Sequence, residues 1–363
     1  MVNSAPFTGP EPDWQFVLSR AGDDPLGVLR STAAVMRSAH DVTIDMDAVA
    51  HVAREIGKHN ANPQWDASLH YRATGPDGDE RTAMWILALD ALNFCFWGQG
   101  SDPSIRWRVE WQGELVDGYV ALVAALTNAA RRGIPLHDAS FLANIDEGAV
   151  AAILAPAEGH PPIPLFADRV RNLRELGAGL VAIGSETPAS ALIHMAGGSA
   201  IALVKDVVAR FPSFKDVATW DRSGTGLPGN EVRFYKRAQI LAGDIAGGLA
   251  GSPLGAFHDL DRLTAFADYK VPQILRKLGI LRYSDALAAL IDAREHIPAG
   301  SPREVEIRAA TIWGCELLRQ ALSSNGRDGR DISAHELDWL LWTQSQDLPG
   351  ASHPYHLTPT IYY

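Results

Sequence analysis

The stretch Leu263-Thr264-Ala265-Phe266-Ala267-Asp268-Tyr269-Lys270-Val271-Pro272-Gln273-Ile274-Leu275, followed by Leu278-Gly279, sets the helical reading of this chain. Val271, Ile274, Leu275 and Leu278 recur at the spacing of one helix face, and that helix begins just after Asp268. An Asp there is a favoured N-cap, because its carboxylate accepts from the first-turn N–H groups that lack intrahelical partners. Pro272 then falls at the fourth helical position, where its missing N–H has no partner to lose. Val271 precedes a proline and so resists the helical region, a mild local conflict. A carboxylate at a helix N-terminus is held ionised by the N–H groups and the helix dipole. It can face developing positive charge in a reaction, or it can be a cap and nothing more.

Helical periodicity extends outward from this segment. Phe166, Val170, Leu173, Gly177 and Leu180 line one face, and Val305, Ala309, Ile312, Cys315, Leu318 and Leu322 line another. Further helices are predicted near 27–37, 45–57, 119–132, 186–210, 235–250, 284–293 and 334–343. Strand signals are sparse. Trp107, Val109 and Trp111 alternate with polar residues, and Gln112-Gly113 leads into a second run through Tyr119, which predicts one β-hairpin. The fold class is mostly α with that one small hairpin. Residues 1–24 read as a flexible N-terminal tail, and 25–363 as one large helical domain, with room for two lobes around a cleft.

The composition narrows the function. The chain has 363 residues, 32 Lys and Arg against 43 Asp and Glu, and a net charge of −11. With 47% hydrophobic and 21% charged residues it is an ordinary globular sequence, long enough to bury a large core. The acidic balance argues against wrapping a nucleic-acid backbone, which needs concentrated Lys and Arg. No apolar stretch reaches 18 residues, so no membrane span is expected. Met1 to Gln15 has neither a basic nor an apolar signal-peptide region, and two cysteines, Cys95 and Cys315, cannot form a disulfide framework. A reduced, cytoplasmic setting is expected.

Three further clusters could carry chemistry. In Phe234-Tyr235-Lys236-Arg237-Ala238-Gln239-Ile240, the paired cations Lys236 and Arg237 could neutralise a phosphate or serve a helix start and a salt bridge. Phe94, Phe96 and Trp97 concentrate three aromatics that could stack on a base or fill a core. Asp338 sits within the apolar run Leu337-Asp338-Trp339-Leu340-Leu341-Trp342, where a carboxylate must be paired or functional. One carboxylate can accept both N–H donors of a guanine-like edge; an arginine on a neighbouring helix would serve equally. The glycines at 243, 247, 248, 251 and 255 lack a dinucleotide-binding order, and His258, His353 and His356 lack helical metal-ligand spacing. No metal or cofactor is expected.

Several stretches resemble the queuosine salvage proteins, which are queuosine 5′-phosphate N-glycosylases/hydrolases. They are Leu92-Asn93-Phe94-Cys95-Phe96-Trp97, Phe211-Pro212-Ser213-Phe214-Lys215-Asp216-Val217, Phe234 to Ile240, Phe266 to Gln273, Glu304-Val305-Glu306-Ile307-Arg308 and Ile361-Tyr362-Tyr363. The resemblance covers nearly the whole chain. It implies an all-helical fold distantly similar to helix-hairpin-helix DNA glycosylases, and release of queuine from queuosine 5′-monophosphate. It further implies Asp268 and Lys236 as catalytic residues. Phe266 would pack on the base, Asp338 would accept from its edge with Trp339 alongside, and His70 would follow a family Trp-to-His stretch, here Trp65 to His70. Thr343 stands where relatives are expected to carry an acid. Tyr235, Arg237, Phe96 and Trp97 complete the expected substrate contacts. The expected partner is the mononucleotide alone, with no nucleic acid and no membrane, bound by a monomer. The alternatives are a nucleic-acid base glycosylase and a non-catalytic helical module that binds a modified nucleotide.

Overall fold

The structure is a computed structural model, and it describes residues 12–20, 23–56, 69–97, 105–221, 230–324, 332–346 and 353–363. In chain order the first elements are α1 (Trp14–Arg20), α2 (Val28–Met36), β1 (Val42–Ile44), α3 (Met46–Ile56), α4 (Gly78–Leu92), β2 (Arg108–Trp111), β3 (Glu114–Asp117) and α5 (Gly118–Arg131). Then come α6 (Ala139–Ala143), α7 (Glu147–Ile153), α8 (Phe166–Val181), α9 (Pro188–Met195), α10 (Ala200–Arg210), β4 (Val217–Trp220), β5 (Asn230–Arg233) and α11 (Lys236–Gly248). The last are α12 (Lys270–Lys277), β6 (Leu281–Tyr283), α13 (Asp285–Asp292), α14 (Pro302–Ser324) and α15 (Ala334–Gln346).

The mostly helical expectation holds, with three departures. Helix α1 occupies Trp14–Arg20 of the expected tail, whose positions 1–11, 21 and 22 lie outside the described residues. The stretch 186–210 forms two helices, because Gly197 and Gly198 take left-handed φ of 61° and 78° between α9 and α10. Three two-stranded antiparallel sheets replace the single hairpin. The predicted one is β2–β3, where Gln112 and Gly113 both have positive φ, as a tight hairpin turn requires. Tyr119 belongs to α5, not to a strand. The other sheets are β4–β5 and β1–β6, the latter pairing Val42 with Tyr283.

The chain divides into two compact units. The first combines Met1–Gln64, Val217–Lys236 and Asp261–Pro359. Its spine is α14, which packs on α2, α3, β1, α12 and α15 and is buried without a break from Glu304 to Leu318. So deep a helix must satisfy its own polar residues. Glu306 does so by accepting the backbone N–H groups of His40, Asp41 and Val42 at 2.9, 2.6 and 3.2 Å, which seats the start of β1. Helix α12 stops at Gly279, whose φ of 77° allows the Gly279 and Ile280 N–H groups to donate back to Arg276 and Leu275. The chain then passes directly into β6.

The second unit combines Trp65–Asp216, Arg237–Leu260 and Thr360–Tyr363. Its centre is α4, which packs on α5, α8 and α9 and has no exposed face from Thr82 to Leu92. The carbonyls ending such a helix need donors other than water. Arg237 donates from Nη1 to Asp90 and Ala91 at 2.9 and 2.8 Å and from Nη2 to Ser213. Arg169 donates to Leu92, Phe94 and Cys95, and Asn172 to Ala91.

Glu306→Gln keeps one acceptor oxygen and the side-chain shape but loses the charge that three N–H groups share. It is expected to lower stability by about 2 kcal/mol, the scale of hydrogen bonds to a charged group. Denaturant unfolding followed by a tertiary probe measures this, and a loss below about 0.5 kcal/mol would show that the seat contributes nothing.

Candidate active site

In the first unit, the loop before α12 carries the most chemistry. Asp268 is 6% exposed, and its Oδ1 accepts from the Lys270 and Val271 N–H groups at 2.9 and 2.7 Å. These are the two capping bonds the spacing predicts. Burial pushes its carboxyl above the ordinary value, while Lys236, the two N–H groups and Lys270 pull the other way. Asp268 is therefore a cap and, in addition, a desolvated carboxylate close enough to a buried ammonium to feel its charge.

Asp338 projects from α15 onto the same loop. Its Oδ1 accepts from the Phe266 N–H at 2.8 Å, two residues before Asp268. Burial, and then the Asp268 charge, hold its carboxyl well above the usual carboxylate range, against weaker opposition from Phe266 and Lys236. Phe266 is itself buried.

Lys236 opens α11 and is 5% exposed. It follows Tyr235, which is half-buried and held at a left-handed φ of 50°, a strained conformation for a tyrosine. Arg308, on α14, ties both approaches together. Its guanidinium lies 3.9 Å from the centre of the Phe234 ring, and its Nε donates to the Ala267 carbonyl at 3.2 Å. Phe234 stands two residues before Lys236 and Ala267 one residue before Asp268. The stretch Glu304–Arg308 thus does more than form an ion-pair network, although Glu304 does lie 3.7 Å from Arg308. His356 is kept neutral beside it, its pKa pushed down to about 3 by burial and by the Arg308 charge.

The structure gathers Asp268, Lys236, Phe266 and Asp338, and it separates other candidates from them. Trp339 is half-buried and meets His335 edge-on at 5.4 Å. Thr343 is exposed, and five helical steps carry it roughly 140° around α15 from Asp338. Arg237 belongs to the second unit, where backbone carbonyls take its fork as described above. Its pKa is drawn down to about 10 by burial, so it remains a cation committed to the end of α4. Phe96 and Trp97 are also buried in that unit, with Arg169 5.5 Å from the Phe96 ring centre. Trp65, which begins the stretch leading to His70, lies outside the described residues.

His70, in the second unit, has partners that spacing did not suggest. Its Nε2 lies 2.7 Å from the Tyr119 hydroxyl, which donates to Asp244 Oδ2 at 3.4 Å. Burial and the Asp244 charge raise the Tyr119 phenol well above its usual value, so it stays a hydrogen-bond donor. The signal for Asp244 was available: like Asp338, it is an acid within an apolar helical run.

Among the described residues no group of three or more His, Cys, Asp or Glu side chains could hold a metal ion. Asp259 accepts instead from Ser199 and from the Ala200 N–H, at the start of α10. No described helix is long and apolar enough to cross a membrane.

A profile of the queuosine salvage protein family matches residues 69–363. A Sphaerobacter thermophilus protein named queuosine 5′-phosphate N-glycosylase/hydrolase is 51% identical to this chain, over 94% of this chain and 98% of its own length. Proteins of the same name from Mus musculus and Schizosaccharomyces pombe are 35% and 30% identical, over 93% and 88% of this chain and 99% and 91% of their own. With similarity sustained over that span, the chain belongs to the queuosine salvage protein family.

Proposed function

We propose that this chain hydrolyses the N-glycosidic bond of queuosine 5′-monophosphate, releasing queuine and ribose 5-phosphate. The observation that carries the reading is the buried Asp268 carboxylate, fixed by two backbone N–H groups and biased by Lys236. Family membership, and the names of the relatives, supply the substrate. A capping aspartate at the start of a helix also supports kinship with helix-hairpin-helix DNA glycosylases. The acidic chain favours a mononucleotide over a nucleic acid. A monomer suffices for this reading, because Asp268, Lys236, Phe266 and Asp338 all come from one chain.

Departure of the base leaves an oxocarbenium-like ribose, the charge pattern that glycosidase carboxylates stabilise. Asp268, ionised and aimed at C1′, meets that charge from a buried position, where a fixed charge acts most strongly. The C1′–N bond breaks, water adds its hydroxyl to C1′, and the water's other proton ends on the departing base nitrogen. A 7-deazapurine has no N7 to protonate, so most of the barrier reduction falls to the carboxylate at the sugar. Phe266 packs on the base. Asp338, whose pKa burial raises, accepts from the base's two N–H donors, and those donors favour its ionised form. Lys236 keeps Asp268 ionised and supplies positive charge for the 5′-phosphate, a role that Arg237, spent on α4, does not share.

The direct test is incubation with queuosine 5′-monophosphate and mass analysis of the products. Stable binding with no ribose 5-phosphate would leave only the non-catalytic module. Asp268→Asn preserves a capping oxygen, so it is expected to fold normally and to lose at least roughly 10²-fold in turnover; unchanged turnover would remove the mechanism. Asp338→Asn is expected to act chiefly on KM, raising it roughly 10- to 100-fold, the worth of hydrogen bonds to a charged acceptor.

Both carboxylates act ionised, and both have raised pKa values. As pH falls, kcat/KM is therefore expected to drop along a limb lying above the ordinary carboxylate range. Lys236→Met withdraws the charge that favours ionisation, so that limb is expected to move to still higher pH. A limb that stays in place in Lys236→Met would show that the lysine does not tune Asp268. The free nucleoside is expected to be a poorer substrate than its 5′-phosphate, and equal kcat/KM on both would show that no cation reads the phosphate.

A further inference from the structure

We propose that Lys270 is a positioning residue for hydrolysis: together with Asp338 it clamps the loop that carries Asp268 onto α15, and so sets the angle at which Asp268 meets C1′. The role rests on Asp268 being the carboxylate that hydrolysis uses.

Lys270 opens α12 two residues after Asp268, and its ammonium donates to the Ser345 carbonyl at 3.1 Å. Ser345 lies in the last turn of α15, where carbonyls lack intrahelical partners and the helix dipole favours a cation. That residue is fully buried, so its carbonyl depends on a donor from the protein. Asp338 and Ser345 are seven residues apart, just under two turns, so they share one face of α15 and lie about 10 Å apart along it. The facing segment is bound at both points. The Phe266 N–H donates to Asp338 Oδ1 at 2.8 Å and Lys270 reaches Ser345, with Asp268 midway along the segment. One bond alone permits a pivot on α15, whereas two fix a direction. The capping bonds of Asp268 do not supply this, since they tie its carboxylate to the start of α12 alone.

An aromatic clip holds the lysine itself. Its Nζ stands 5.9 Å from the centre of the Tyr355 ring, whose own centre is 4.9 Å from that of Tyr269. A π face attracts a cation more strongly where water is excluded, and Tyr355 is buried. Gln273 keeps the Tyr355 segment on α12 by donating to the His353 carbonyl at 2.8 Å. Tyr269 and Lys270, the two residues after Asp268, are thus both anchored beyond their own segment.

The clamp is separable from the lysine's charge. The charges around Asp268 are those of Lys236 on α11, Lys270 on α12 and Asp338 on α15, with Arg308 of α14 at the preceding carbonyl. Losing the Lys270 charge moves the acid limb of the pH profile upward, as losing Lys236 does. Above that limb Asp268 is ionised in every variant, so a loss of kcat that persists there is a loss of alignment.

The test measures kcat and KM for queuosine 5′-monophosphate across pH, with thermal unfolding alongside, for the full chain and for Lys270→Met, Lys270→Arg and Tyr355→Leu. Lys270→Met keeps the aliphatic stem without the donor. It is expected to lower plateau kcat roughly tenfold, less than a full ångström of misplacement costs. KM is expected to stay within about twofold, because Phe266 and Asp338 still hold the base. Lys270→Arg, which can still donate to Ser345 and face Tyr355, is expected to recover plateau kcat to within about threefold. Unchanged plateau kcat in Lys270→Met, whatever happens to its acid limb or melting temperature, overturns the proposal. So does a Lys270→Arg variant no better than Lys270→Met. If Lys270→Met fails to fold, Tyr355→Leu decides, because it keeps the lysine and its charge. Its plateau kcat is expected to fall by roughly threefold or more with the acid limb in place, and an unchanged kcat there overturns the role. No ribose 5-phosphate from the unaltered chain would instead overturn the hydrolytic reading itself.

Discussion

One buried guanidinium organises the candidate site of the first unit. Arg308 reaches from the most buried helix of that unit to the Ala267 carbonyl and the Phe234 ring, fixing the backbone just ahead of both Asp268 and Lys236. A charge so deep must be surrounded by acceptors and π faces, and here those belong to the segments that deliver the carboxylate and the ammonium. Glu306, one residue pair earlier on the same helix, does the reciprocal work by gathering N–H groups. Precision at the site thus rests on polar groups that a core of hydrocarbon alone would have left out.

The electrostatics of the site are deliberately unbalanced. Two buried carboxylates, Asp268 and Asp338, share the Lys236 ammonium, with Lys270 adding to it at Asp268, and burial outweighs the attraction in each case. A positively charged sugar and a base edge rich in N–H groups are the partners that would complete the balance. The raised pKa of Asp268 also means that its ionised form stabilises the fold less at neutral pH than the neutral form would. Removing that charge is therefore compatible with an intact fold.

Much of this arrangement is legible in the amino-acid sequence, and the exceptions have physical reasons. Helix α12 and its capping aspartate are local features, set by a stripe and a cap within a dozen residues. Helix α4 escapes periodicity because it is buried on every side from Thr82 onward, so no polar face alternates with its apolar one. The β1–β6 and β4–β5 pairs join strands of three or four residues, and nothing in so short a run announces its partner. Arg237 shows the limit of reading residue type alone. A neighbouring lysine and arginine suggest one anion site, yet the arginine is held by the carbonyls of α4, a helix the periodicity does not reveal. His70 is a candidate by resemblance alone, whereas Tyr119 and Asp244 join it only through folding.

The interleaved path of the chain has a consequence for biosynthesis. Each compact unit is assembled from three separated segments, and the seat of Glu306 joins residues up to 266 positions apart. No single cleavage would yield either unit intact. On the ribosome, the amino-terminal helices must wait for α14 to emerge before they find their spine, so early intermediates expose apolar surface for most of translation. A nascent chain built this way leans on chaperones more than one whose domains close in sequence order.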